Sequence, residues 1–124
     1  MKARVLVVDD EEEMRAYLRD ALARRGFSVE VFATAAAATT TLDEAANDFD
    51  VVLTDLRMKG GDGLGLTRLV RDTRPDLPVV VMTGYAPAGG AEAFRQAGEA
   101  PVALFSKPLD MDAVLAELRR LLPG

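Results

Sequence analysis

The residues of this 124-residue chain best equipped for chemistry stand directly behind short apolar runs. Asp9 and Asp10 follow Val5-Leu6-Val7-Val8, and Asp55 follows Val51-Val52-Leu53-Thr54. Thr83 and Gly84 follow a run at 79–82, and Lys107-Pro108 follow one at 102–105 with a serine between. If the runs are parallel strands, their carboxyl ends share one edge, which is where open parallel sheets bind ligands. Three clustered carboxylates repel one another, and a hard divalent cation resolves that. Mg²⁺ suits such a place, because it takes one or two carboxylates together with waters and phosphate oxygens. The ion and Lys107 then make a positive seat for a phosphoryl oxygen, and Thr83 can donate a hydrogen bond to another. A carboxylate in that setting can attack phosphorus and become an aspartyl phosphate. Phosphoryl transfer depends mainly on positioning and charge neutralisation, and this set supplies both.

Each signal alone has a plainer reading. Asp9-Asp10 can cap the following helix, Asp55 can cap a turn, and Lys107-Pro108 can be ordinary surface. Thr83-Gly84 alone says little. Their joint occurrence behind four such runs is what argues for a site. Other phosphate motifs fail: the glycines of 60–65 are not followed by Gly-Lys-Ser/Thr, so they are no P-loop, and they do not match a dinucleotide fingerprint. Gly60 to Gly63 are expected as a turn with positive φ that lets the loop after Asp55 fold over the site.

Something must hold those residues at one edge. The apolar runs are Val5–Val8, Val29–Phe32 (broken by Glu30), Val51–Leu53, Val79–Met82 and Val102–Phe105. Nearly unbroken Val/Leu runs suit strands buried on both faces of a parallel sheet. Amphipathic segments lie between them. Met14, Leu18 and Leu22 recur at helical spacing, and Gly26 follows as a C-terminal stop. An alanine-rich helix is expected from about Thr34 to Ala46, with Leu42 as its large anchor. Leu66, Leu69, Val70 and Thr73 mark a third helix that stops before Pro75. A weak fourth spans Ala91 to Ala97, and a fifth starts at Asp110 with Met111, Val114, Leu115, Leu118 and Leu122. The order is (βα)₅, which implies an α/β fold: right-handed crossovers and a parallel sheet with helices on both faces.

Composition narrows the function. The length suits one domain over residues 1–124, with no linker or internal repeat. Cysteine and histidine are both absent, which excludes disulfides, thiolate or imidazole metal sites, and a Ser-His-Asp triad. A net charge of −5 disfavours direct nucleic-acid binding. The N-terminal apolar run is too short for a signal peptide or a membrane span, so a cytoplasmic location is expected.

From end to end the chain resembles the receiver domain of two-component response regulators. The resemblance rests on Val5–Glu11, Leu53-Thr54-Asp55-Leu56-Arg57-Met58, Asp62-Gly63, Val81-Met82-Thr83-Gly84 and Ser106-Lys107-Pro108-Leu109. It implies a flavodoxin-like fold, a five-stranded parallel sheet in the order 2-1-3-4-5. It also implies that Asp55 is the phosphoacceptor, that Asp10 binds Mg²⁺ directly and that Asp9 acts largely through a metal-bound water. The backbone carbonyl of Arg57 matches a further metal ligand, Thr83 the switch hydroxyl, and Gly84 a small residue whose amide helps. Lys107 matches the lysine that pairs with the phosphoryl group, and its bond to Pro108 is expected to be cis.

Three departures from the family pattern stand out. Lys59 occupies the usual proline position, which should loosen that loop. Leu104 stands where the switch aromatic normally sits, and strand alternation puts Phe105 on the other face. The glycine-rich stretch Tyr85–Gly90 precedes the short fourth helix, which is expected to be mobile. The function implied is a phosphorylation-controlled switch, not an enzyme with a separate substrate. A histidine kinase or histidine phosphotransfer domain would donate to Asp55, and the face of helix 4, strand 5 and helix 5 would respond. An output domain or downstream protein is the implied recipient, and phosphorylation-dependent dimerisation is compatible with the family. One alternative is a receiver-shaped interaction module with lost or atypical switching, motivated by Lys59 and Leu104. Another is an aspartate-nucleophile phosphatase, disfavoured because Glu11 stands where a second aspartate would be expected and no cap insertion is present.

Overall fold

The computed structural model describes residues 2–45, 48–58, 61–84 and 103–122. The weak fourth helix, the stretch from Tyr85 to Gly90, Lys59, Gly60, Ala46 and Val102 lie outside the described residues. Five strands, β1 (Arg4–Val8), β2 (Ser28–Phe32), β3 (Val51–Asp55), β4 (Val79–Thr83) and β5 (Ala103–Ser106), form one parallel sheet. Their order is β2-β1-β3-β4-β5, as the resemblance implies. Around it lie α1 (Glu12–Arg24), α2 (Ala35–Ala45), α3 (Gly63–Thr73) and a C-terminal helix, Met111–Leu121.

The Val/Leu runs read as two-sided strands because three of them are central. Every residue of β3 and β4 is buried, and so are Val5–Val8 of β1. Strand alternation divides these side chains between two cores. Leu6, Val8, Val52, Val79 and Val81 meet Leu42, Leu66 and Val70 on the α2/α3 side. Val5, Val7, Val51, Leu53, Val80 and Met82 meet Leu18, Leu22, Val114 and Leu118 on the other side. Glu30, which interrupts the second run, is explained by position: β2 is an edge strand, and Glu30 reaches Arg4 at 3.2 Å.

Helix ends follow their sequence signals. Asp110 caps the C-terminal helix by accepting from the amides of Asp112 (3.0 Å) and Ala113 (3.3 Å). The Thr34 hydroxyl accepts from the amide of Ala37 at 3.1 Å, at the start of α2. Helix α1 closes with the amide of Gly26 on the Ala23 carbonyl (3.1 Å) and that of Phe27 on Leu22 (3.2 Å), a Schellman pattern. Gly26 sits at φ +90°, and a Cβ there would meet nothing within 4 Å. The cost of a side chain is therefore conformational alone. Gly26→Ala is expected to lower stability by about 1 kcal/mol in urea denaturation. An unchanged midpoint would contradict the left-handed assignment.

The segment after Asp55 departs from expectation. Of the turn expected at Gly60 to Gly63, Gly60 lies outside the described residues; Gly61–Asp62 pairs antiparallel with Arg57–Met58, and Gly63 already opens α3. Helix α3 thus starts earlier than its apolar periodicity at Leu66 suggests. Glycine is a poor helix former, and the packing of Leu66 and Val70 in the core compensates for it.

Candidate functional site

The site is built at the carboxyl edge of the sheet by strand register. Val8 of β1 lies beside Thr54 of β3, Asp55 beside Met82 of β4, and Thr83 beside Ser106 of β5. Residues just past these positions must therefore meet. Asp9, Asp10, Glu11 and Asp55 each offer a carboxylate oxygen, and these oxygens lie within 4.8 Å of one another. Asp9, Asp55 and Thr83 are buried. The burial of the two aspartates is unusual, since ionised carboxylates rarely leave water without a partner.

The partner is Lys107. Its Nζ donates to Asp9 Oδ2 at 2.9 Å and to Asp55 Oδ2 at 3.1 Å, and stands 3.8 Å from Glu11 Oε1. The peptide bond that follows, Lys107–Pro108, is cis, and the Lys107 amide donates to the Thr83 carbonyl at 2.8 Å. That bond ties the β5 exit to the end of β4. Burial acts to lower the Lys107 pKa, but hydrogen bonds and charges from Asp9 and Asp55 together outweigh it, and the net direction is upward. A lysine raised in the folded state stabilises at every pH below its ordinary value, about 10.4, and loses that contribution as pH climbs through the higher folded value. In metal-free buffer, the stability gap between wild type and Lys107→Met is therefore expected to stay level from about pH 7 to 9 and to narrow above about 10.4. Denaturant titrations across that range check it; a gap that widened with pH would contradict the pairing.

Neither Asp9 nor Asp10 is the N-cap residue of α1. The N-cap residue of α1 is Glu11, and its side chain makes no cap hydrogen bond. Asp9 instead accepts from the amide of Glu11 at 2.9 Å, which orients its carboxylate, while Arg15 donates to the Asp9 carbonyl at 2.9 Å. Arg57 lies in the short ribbon directly after β3, and Gly84 follows Thr83 on an exposed bend. A Cβ on Gly84 would meet nothing within 4 Å. Leu104 packs on the α2/α3 core and Phe105 on the opposite one, as alternation requires. Phe105 therefore does not stand in for an aromatic at 104.

The fold thus brings Asp9, Asp10, Asp55 and Lys107 together, with Thr83 and Gly84 at the neighbouring strand end. Sequence reasoning left Glu11 out of the candidate set. Its signal was its place in the same turn as Asp9 and Asp10, hidden because an acid at a helix start has an ordinary dipole explanation. The donor set is all oxygen, with no nitrogen or sulfur ligand, and that chemistry fits a hard cation such as Mg²⁺. No helix among the described residues is long and apolar enough to cross a membrane.

Comparison with known proteins agrees with this geometry. A family model described as the response regulator receiver domain matches residues 5–119. The chain is 35% identical over 116 residues to the DNA-binding transcriptional regulator NtrC of Escherichia coli (strain K12), covering 94% of this chain and 24% of that protein. It is 32% identical over 121 residues to the response regulator receiver protein CpdR of Brucella abortus (strain 2308), covering 96% of each. It thus spans about a quarter of the NtrC relative and nearly all of CpdR. Among solved structures, the response regulator protein TrrA of Thermotoga maritima, in complex with Mg²⁺-BeF, superposes with a TM-score of 0.83 at 25% identity, covering 98% of this chain and 100% of that one.

Proposed function

The chain belongs to the response regulator receiver domain family, and from that premise we propose that Asp55 accepts a phosphoryl group from a phosphohistidine donor in a Mg²⁺-dependent reaction. Its class is that of a signalling module and not of an enzyme with a separate substrate. One sheet running from Arg4 to Ser106 supports treating residues 1–124 as a single domain.

The observation that carries the proposal is the Lys107 ammonium, 3.1 Å from Asp55, inside a cluster of carboxylates at the ligand-binding edge. Asp9, Asp10, Asp55 and the Arg57 carbonyl would hold the cation, which supplies charge neutralisation for the phosphoryl oxygens. An Asp55 carboxylate oxygen attacks phosphorus as the P–N bond to the donor imidazole breaks. The imidazole leaves with the bonding pair and takes a proton from solvent. Lys107 pairs with one phosphoryl oxygen, and the Thr83 hydroxyl donates to another. Hydrolysis by water later returns the carboxylate.

Drawing Thr83 and Lys107 inward would move the ends of β4 and β5 together, because the Lys107 amide is bonded to the Thr83 carbonyl. The responding face would include β5 and the C-terminal helix, together with the fourth helix outside the described residues. A partner histidine kinase or histidine phosphotransfer domain would dock to donate. An output domain, a separate protein or a second copy would read the new state.

The test is exposure of the purified chain to phosphoramidate with and without Mg²⁺, read by intact mass. A single phosphoryl gain that requires Mg²⁺ is expected. No gain at saturating metal would overturn the proposal.

A further inference from the structure

Lys107 is shared among three carboxylates, and they are not equivalent. Asp9 and Asp55 hold it at 2.9 and 3.1 Å and are nearly closed off from solvent. Glu11 stands 3.8 Å away with its side chain 67% exposed. Although Glu11 is the N-cap residue of α1, its side chain makes no cap hydrogen bond. Its carboxylate is therefore not committed to the helix amides and can swing at the rim.

A divalent ion drawn to this cluster needs the oxygens that Lys107 now covers. Two cations cannot share them without strong mutual repulsion in a partly buried place. The ammonium must then move outward, and Glu11 lies on that outward side. We infer that Glu11 is a positioning residue: its carboxylate receives the Lys107 ammonium when a cation takes over Asp9 and Asp55, and so keeps it at the mouth where a phosphoryl oxygen arrives. The inference rests on the Mg²⁺ reading of the same site and assigns Glu11 no contact with the ion.

The role has a distinctive signature, because it acts only through Lys107. Mg²⁺ affinity is measured by calorimetry on the full chain for wild type, Glu11→Gln, Lys107→Met and the double variant. Glu11→Gln is expected to weaken binding about threefold, the size that an exposed ion pair carries. In the Lys107→Met background the same change should weaken binding by no more than about 1.5-fold, giving at least a twofold coupling. A coupling below twofold would overturn the inference, since Glu11 would then act on the ion directly or not at all. Should Lys107→Met fold poorly, the ¹³Cε resonance of Lys107 replaces it. Glu11→Gln should shift that resonance more in the Mg²⁺-bound protein than in the metal-free one; an equal or smaller shift would overturn the role. Absence of Mg²⁺ binding by the wild type overturns both the metal reading and this one. Binding without coupling overturns only the role of Glu11.

Discussion

Asp55→Asn is expected to take up no phosphoryl group from phosphoramidate in Mg²⁺, under conditions chosen to phosphorylate the wild type; intact mass is the readout. The substitution keeps shape and removes the anionic oxygen that, on the proposed function, would attack phosphorus, so the expected loss is chemical and not architectural. Stability separates the two. In the wild type, the Asp55 carboxylate lies within 4.8 Å of the oxygens of Asp9, Asp10 and Glu11. Replacing it by an amide relieves like-charge repulsion, while the amide oxygen can still accept from Lys107. The variant is expected to melt no lower than wild type in metal-free buffer. A wild-type phosphoryl gain in Asp55→Asn would move the acceptor to another carboxylate of the cluster. A large fall in melting temperature would instead mean that Asp55 holds the fold together.

The second large effect belongs to Lys107, and it runs in three directions at once. Lys107→Met removes the ammonium proposed to pair with the phosphoryl oxygen, and phosphorylation is expected to slow by about a hundredfold, in line with loss of one preorganised electrostatic donor. It also strips Asp9, which has no exposed surface, of its 2.9 Å partner. Leaving a buried charge uncompensated costs about 3 kcal/mol, to be seen in denaturant titrations without metal. Mg²⁺ affinity should rise, because the competing cation has gone, and added Mg²⁺ should restore much of the lost stability. A variant equally stable with and without metal would mean that the cluster does not bind the ion. Rapid phosphorylation would remove Lys107 from the chemistry.

Much of this was legible along the chain because the signals are local. Val5–Val8, Val51–Thr54 and Val79–Met82 read as buried parallel strands, since a strand covered on both faces has no polar alternation to show. Gly26 and Asp110 read as helix punctuation because a left-handed stop and a side-chain cap are short-range devices. The ribbon between Arg57–Met58 and Gly61–Asp62 was not legible. Two-residue pairings leave no periodicity, and the glycines there fit an open turn equally well. The early start of α3 was hidden for a related reason: Gly63 argues against a helix that the core contacts of Leu66 and Val70 sustain.

The sequence by itself determined which residue types stand at the strand ends, that the sheet is parallel, and hence that the carboxylates, Thr83 and Lys107 face one edge. These follow from hydrophobic runs and from the order of elements. Only the tertiary structure decided that Lys107 bridges Asp9 and Asp55, partners 98 and 52 residues away, and that Glu11 joins them while Leu104 and Phe105 part to opposite cores. Those distances depend on how β1, β3, β4 and β5 align in register. Register is set by the packing of two cores at once, and no local stretch of the chain contains it.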